Sequence, residues 1–210
     1  MTVLLLATAE LKEELLAYPV SEEIEVKWIT DPADFVPVHS IDACIDLLFE
    51  NTSERIAWLK NLRTELIIIN SVVTPLYQVN EDFVRINGWT TFLKRPVVEA
   101  SIINTSLQPQ AEQLLSHFGR TIEWTLDIAG FITPRVVASI INEAFFALEE
   151  KVSTKEEIDT AMRLGTNYPF GPFEWGKKIG LHNIYSLLAI LSGEKIRYTP
   201  SLLLKQTALA

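Results

Sequence analysis

Thr2-Val3-Leu4-Leu5-Leu6-Ala7-Thr8-Ala9-Glu10-Leu11-Lys12 reads as an apolar extended run, a short turn and the opening of a helix. The run Val3 to Ala7 has no charged residue, and the segment from Glu10 to Ala17 carries apolar residues at helical spacing. Apolar runs recur at Ile24 to Ile29, Ala43 to Phe49 and Leu66 to Asn70, and Ser53 to Leu62 sets Ile56, Leu59 and Leu62 on one helical face. Short apolar runs alternating with helical patterns are the signature of βαβ units, so the first half is predicted to be a mainly parallel sheet covered by helices.

Two more extended runs, Phe83 to Ile86 and Pro96 to Ile103, flank the turn-rich aromatic segment Asn87-Gly88-Trp89-Thr90-Thr91-Phe92. A helix over Gln110 to Phe118 and a strand near Thr121 to Leu126 are predicted to close this half. After Gly130 the pattern becomes helical. Thr133-Pro134 predicts a helix start, with the hydroxyl capping and the proline at the first helical position. From Val136 to Leu148 a wide apolar stripe follows. Ser153-Thr154-Lys155-Glu156 is predicted to be a capping box opening the next helix, which is expected to end at Gly165. Gly171-Pro172 and Gly180 separate two further helices, Phe173 to Ile179 and Leu181 to Leu191. The chain therefore divides into an α/β domain over 1–127 and an all-α domain over 128–210, a length compatible with one large domain or two small ones of the usual ~150 residues or fewer.

Eighteen Lys plus Arg against 27 Asp plus Glu give 18 − 27 = −9. That balance argues against nucleic acid and anionic membranes as partners, since both recruit clustered cations; coenzyme A and dinucleotides, which a local patch can hold, stay open. The single cysteine, Cys44, cannot form an internal disulfide, and no Cys-x-x-Cys metal framework exists, so no metal site is expected. No apolar run reaches the ~18 to 20 residues of a membrane span, and the N-terminus lacks the basic flank of a signal peptide. A cytoplasmic location is the expectation.

Gly165-Thr166-Asn167-Tyr168-Pro169-Phe170-Gly171-Pro172-Phe173-Glu174, following Glu157-Ile158-Asp159-Thr160-Ala161-Met162, closely resembles the C-terminal helical domain of 3-hydroxyacyl-CoA dehydrogenases. The resemblance extends upstream through Gly119-Arg120-Thr121, Asp127, Gly130-Phe131-Ile132, Arg135 and Asn142-Glu143-Ala144. Downstream it continues through Ile179-Gly180-Leu181 and Arg197-Tyr198-Thr199-Pro200-Ser201. Before Pro96 it is sparse: Leu47-Leu48-Phe49-Glu50 resembles the family's strand under the nicotinamide, and Pro96-Val97-Val98-Glu99 the strand of its catalytic glutamate. The resemblance implies a Rossmann NAD-binding domain, here shortened and degenerate, then a helical domain that dimerises. Between them the family oxidises a 3-hydroxyacyl-CoA.

Several positions depart from that pattern. Dinucleotide binding needs glycines after the first strand so that the backbone can approach the pyrophosphate. Here Ala7 and Ala9 stand at the cofactor-binding positions, no glycine precedes Gly88, and Glu10 places negative charge at a helix start that should attract an anion. Asp31 stands where a ribose-reading acid is implied, although an Asp before Pro is also a turn residue. A gapless alignment from Glu99 puts the family's catalytic histidine on Asn87, and an amide cannot serve as a base. His39, His117 and His182 match no motif and read as ordinary residues. Ser71 and Val72 fall at the hydroxyl-bearing substrate contact, while Pro134 replaces an asparagine at the helical-domain entry. Trp89, Tyr168 and the aromatics Phe92, Phe170, Phe173 and Trp175 read either as an acyl pocket or as packing. Lys94-Arg95 and Lys177-Lys178 are the densest basic pairs, read as solvated charges or as CoA-phosphate contacts.

Two main readings follow. In one, the chain is a non-catalytic or severely weakened relative with no cofactor, a homodimer through the helix from Pro134 to Glu150, holding an acyl-CoA-like ligand. In the other it is a working NAD-dependent 3-hydroxyacyl-CoA dehydrogenase of fatty-acid metabolism with a rebuilt site. A third reading is an interaction subunit that pairs with an active paralogue.

Overall fold

Strand β1 (Thr2–Leu6) leads into helix α1 (Ala9–Leu15) and β2 (Glu25–Ile29) in the computed structural model, which describes residues 1–36 and 40–210. There follow β3 (Ala43–Asp46), α2 (Ser53–Asn61), β4 (Leu66–Asn70), β5 (Val84–Ile86), β6 (Val97–Ile102), α3 (Gln108–Ser116) and β7 (Thr121–Trp124). The strands form one 7-stranded sheet in the order β2-β1-β3-β4-β5-β6-β7. The first five are parallel, β6 runs antiparallel to β5, and β7 is parallel to β6. The predicted α/β class with a mainly parallel sheet is what is found.

Both faces of the sheet are covered, which is why its inner strands read as unbroken apolar runs. Val3, Leu5, Ala43 and Ile45 pack under Leu11 and Leu15 of α1 and Ala111, Leu114 and Leu115 of α3. On the other face Leu4, Leu6, Cys44 and Ile67 pack under Leu59 of α2 and against Leu76 and Phe83. Cys44 is fully buried, and burial together with the neighbouring Asp46 charge holds its thiol well above the ordinary range. A doubly wound dinucleotide fold has three strands in each half. Here β1-α1-β2 passes through a 3-10 turn at Pro32–Asp34 toward β3, so the first half has two strands and β2 is the sheet edge.

Four charged side chains are buried in this unit: Arg85, Arg120, Glu14 and, at the end of β3, Asp46. Arg85 of β5 forms an ion pair with Asp127, 2.5 Å from Nε to Oδ1, and donates to the Ser71 and Ile128 carbonyls while its guanidinium lies over the Phe131 ring. Gly130 N donates to Val72 O at 2.7 Å. The chain divides into Met1–Phe131 and Ile132–Ala210, four residues beyond the expected boundary at 127, because these bonds stitch 127–131 to the sheet. Arg120 donates to the carbonyls of Leu93, Phe118, Glu14 and Leu15 and stacks on Tyr18.

Glu14 of α1 is the third. Its carboxylate accepts from Thr91 N at 2.7 and 2.9 Å, and burial raises its pKa above the ordinary glutamate value, opposed by that hydrogen bond and by Lys94. A carboxyl whose folded pKa lies above its unfolded value binds protons more tightly when folded, so its contribution to stability falls as pH rises from about 4.5 through the raised value. Glu14→Gln removes the titration. The wild-type minus variant difference in denaturant midpoint is expected to decline across that window, and a flat difference would contradict the assignment.

The second unit consists of α4 (Thr133–Glu149), α5 (Lys155–Thr166), α6 (Pro172–Ile179), α7 (Leu181–Glu194) and α8 (Leu202–Leu209). Three predicted ends are corrected. Thr133 does not cap α4: the capping position is Ile132, without a side-chain bond, and Pro134 sits one residue further in. Helix α5 runs past Gly165 and ends on Asn167 at φ 57°, a left-handed conformation that asparagine tolerates. Its capping box is formed by Thr154 and Glu157, one residue later than the Ser153-to-Glu156 box expected from the sequence. Asp159 reaches from α5 to the start of α6, accepting from Phe173 N at 2.7 Å and Glu174 N at 3.0 Å. A Cβ on Gly171 would lie 2.3 Å from Asp159 Cβ, so the Gly171-Pro172 pair is explained by this close turn. Asn142 of α4 is buried, donating to Thr199 O and accepting from Ser201 N, which fastens the segment before α8.

Candidate functional site at the strand ends

Strand β1 has β2 on one side and β3 on the other. Open α/β sheets bind ligands outside the carboxyl ends of their strands, where the order reverses. The residues at those ends are Ala7-Thr8, Asp46-Leu47, Asn70-Ser71 and Asn87-Gly88.

The turn after β1 is closed by its own side chains. Thr8 Oγ1 accepts from Leu11 N at 3.2 Å and caps α1. Both backbone groups of Ala7 are engaged: its N–H donates to Ile29 O, and its carbonyl accepts from Trp28 Nε1 at 2.8 Å. Lys12 Nζ lies 3.8 Å over the Trp28 ring. With side chains at Ala7 and Ala9, a hydroxyl already on the free amide and Glu10 in the first turn, the residues here do not fit a pyrophosphate. The NAD that the resemblance implies has no cradle at this turn.

Asp31 accepts from Ala33 N at 2.7 Å and caps the Pro32–Asp34 turn, which is the turn role weighed from sequence. It also lines an open cleft of about 820 Å³ with Leu48, Phe49, Glu50, Arg55 and Trp58. Arg55, the cation of that cleft, is held by Asp46 at 2.7 Å and 3.1 Å and by the Leu48 carbonyl. Burial raises the Asp46 pKa, with Arg55 opposing.

Asn87 and Glu99 are brought together. Adjacent β5 and β6 place Asn87 N on Glu99 O at 2.9 Å, and Asn87 Nδ2 donates to Glu99 Oε2 at 3.1 Å. Asn87 is 3% exposed, and its Oδ1 faces Trp89 N at 3.4 Å. The pair thus has the contact expected of an imidazole oriented by a carboxylate, with an amide that has no proton to exchange near neutral pH. Beside it Asn70 Oδ1 accepts from Gly88 N at 3.0 Å, and Asn70 Nδ2 donates to Leu47 O. A Cβ at residue 88 would lie 2.8 Å from Asn70 Cγ, so glycine permits this approach. Sequence reading passed over Asn70; its signal was a lone polar residue ending an apolar strand.

Ser71 Oγ donates to Thr74 O at 2.7 Å, and Val72 is buried, so the two shape a turn. Trp89 and Phe92 are buried in the first unit. Tyr168 and Phe170 belong to the second, where both rings pack on Trp175 at 6.3 and 6.0 Å, the packing role. Lys178 lies over Phe170, and the Lys94 charge acts on Glu14. His117 Nδ1 is 3.8 Å from Glu23 at the end of α3. His182 lines a hollow of about 690 Å³ on the second unit with Lys155, Asp159 and Phe173, and Pro134 is buried in α4. His39 lies outside the described residues. Among the described residues no three His, Cys, Asp or Glu side chains gather as metal ligands, and no helix is long and apolar enough to cross a membrane.

Residues 130–210 match the family model for the 3-hydroxyacyl-CoA dehydrogenase C-terminal domain. The chain is 42% identical over 116 residues to the 3-hydroxyadipyl-CoA dehydrogenase of Escherichia coli K12, covering 54% of this chain and 24% of that one. It is 31% identical over 170 residues to the mitochondrial hydroxyacyl-coenzyme A dehydrogenase of Homo sapiens, covering 72% of this chain and 52% of that one. Among solved structures, the (S)-3-hydroxybutyryl-CoA dehydrogenase of Ralstonia eutropha superposes with a TM-score of 0.71 at 19% identity, over 98% of this chain and 92% of that one. The chain thus matches from about a quarter to about half of the length of these curated relatives, while the last comparison carries the fold.

Proposed function

We propose, for a chain that belongs to the 3-hydroxyacyl-CoA dehydrogenase family, a role as a non-catalytic or severely weakened member that retains the fold and an acyl-CoA-like ligand. The observation that carries this is the Asn87 amide bound to Glu99 at 3.1 Å, in the place where the resemblance puts a histidine. Oxidation of a hydroxyl needs a group to take its proton, and loss of such a base commonly costs about 10² to 10⁴ in rate. The closed turn at Ala7-Thr8 compounds that loss.

The chain acts as a homodimer through its helical unit, in the cytoplasm. Supporting the interface, Val136 of α4 is 55% and Ile196 is 88% exposed; Val136 and Ile140 line a hollow of about 450 Å³ with Arg135, Glu143 and Tyr198.

Calorimetric titration with NAD and NADH, with and without acetoacetyl-CoA, tests the reading. No nucleotide heat up to millimolar concentration, together with heat from the CoA compound alone, is the expected result. The competing reading, a working NAD-dependent dehydrogenase with a rebuilt site, draws on Asp31 at the rim of the 820 Å³ cleft. Micromolar nucleotide binding with turnover would establish it and overturn ours.

A further inference from the structure

The outer strand of the sheet uses half of its main chain. Glu25 N donates to Met1 O and Ile29 O accepts from Ala7 N, with the register running from Thr2 opposite Glu25 to Leu6 opposite Ile29. In a parallel ladder, the N–H and C=O groups of Glu25, Lys27 and Ile29 therefore point at β1, and those of Val26 and Trp28, with the Ile24 carbonyl, point away. The Ile24 N–H is turned back to Ser21 O at 3.4 Å. Among the described residues no strand pairs with that outer side. The strand has no proline, and Trp28 is fixed in place by the Ala7 carbonyl and by Lys12.

We propose that this edge pairs with the same edge of a second copy of the chain, antiparallel about a two-fold axis through Val26. In that register Val26 faces Val26 of the second copy, Ile24 faces Trp28 and Glu25 faces Lys27. Four main-chain hydrogen bonds form: Val26 N–H to the opposing Val26 carbonyl, and Trp28 N–H to the opposing Ile24 carbonyl, each in both directions. Charge selects this register. Glu25 and Lys27 lie on one face of the strand, and the Val26 axis sets each carboxylate opposite an ammonium, twice by symmetry. Moving the axis to Lys27 keeps the outward groups paired but sets Lys27 against Lys27. Moving it by half a residue sets outward groups against inward ones and loses the bonds. The short first half of the sheet leaves room for the pairing, since the place of a third strand beside β2 is taken by no described strand. The result is one continuous sheet through two copies, on a surface of the first unit separate from the helical face.

The test uses the full chain carrying Val136→Asp, which disables the helical face, with mass read by sedimentation equilibrium up to millimolar concentration. We expect a dimer that Glu25→Lys converts to monomer and that adding Lys27→Glu in the same chain restores, since the swapped charges again oppose each other. A monomer before the Glu25 change, or a dimer indifferent to it, overturns the proposal and leaves Lys27 as a charge that keeps the edge solitary. Amide exchange in the unmodified chain gives a second measurement. Val26 and Trp28 are expected to gain protection as concentration rises, and fast exchange of both at every concentration has the same overturning meaning.

Discussion

Asp127→Ala lowers the stability of the first unit by about 3–5 kcal/mol, read as a fall in its urea midpoint, because it strands a buried cation. Arg85 is fully buried, and Asp127 is the carboxylate it meets, 2.5 Å away. The same carboxylate accepts from Leu76 N at 2.9 Å, so its removal also orphans an amide at the turn after β4. A domain is stable by only about 5–15 kcal/mol, so the loss takes a large part of the total. The pair Arg85→Met with Asp127→Leu removes both charges and is expected to recover much of it, since replacing a buried ion pair by apolar groups is often close to neutral. A loss below about 1 kcal/mol in the single variant would place the stability of 127–131 elsewhere.

Arg120→Met is expected to have an effect of similar size for a different reason. The partners of this side chain are carbonyl oxygens from three separate segments: Glu14 and Leu15 at the end of α1, Leu93 in the loop before β6, and Phe118 after α3. Glu14 O keeps the Ala17 N–H, but each of the other buried carbonyls left unpaired costs about 1–3 kcal/mol, and methionine supplies no donor for them. We expect a drop of about 3 kcal/mol or more by chemical denaturation. Arg120→Lys separates charge from geometry: an ammonium keeps the charge but cannot reach the segments with a planar fork, so most of the loss should persist. A lysine variant as stable as the wild type would refute the bridging role.

These two residues also show where sequence reading stops. The inner parallel strands β1 and β4 were legible because each is apolar on both faces, and the bounds predicted for Leu66 to Asn70 are those found. The Asn87-Glu99 pairing was implied by the resemblance, which sets Asn87 at the family's histidine position, and the adjacent strands β5 and β6 bring the two side chains into contact. Arg85 sits between Val84 and Ile86 in a buried strand, and Glu14 is in phase with Leu11 on the inner side of α1. A charge in phase with a core is the available signal, but its partners at 127, 91 and 120 are distant in sequence, and nothing local names them. The α5 end was misplaced because glycine and asparagine both accept the left-handed conformation, and here it is Asn167, two residues beyond Gly165, that adopts it.

Cys44 gives the sheet a reporter of its own. A thiol at the centre of β3, fully covered and held protonated by its surroundings, is invisible to a water-soluble disulfide reagent while the sheet is intact. Since the chain has one cysteine, its labelling rate is a built-in clock for the opening of the central strands, countable in a mass spectrum without any engineered reporter. It counts openings of the sheet and not those of the helices, because no cysteine lies in the second unit.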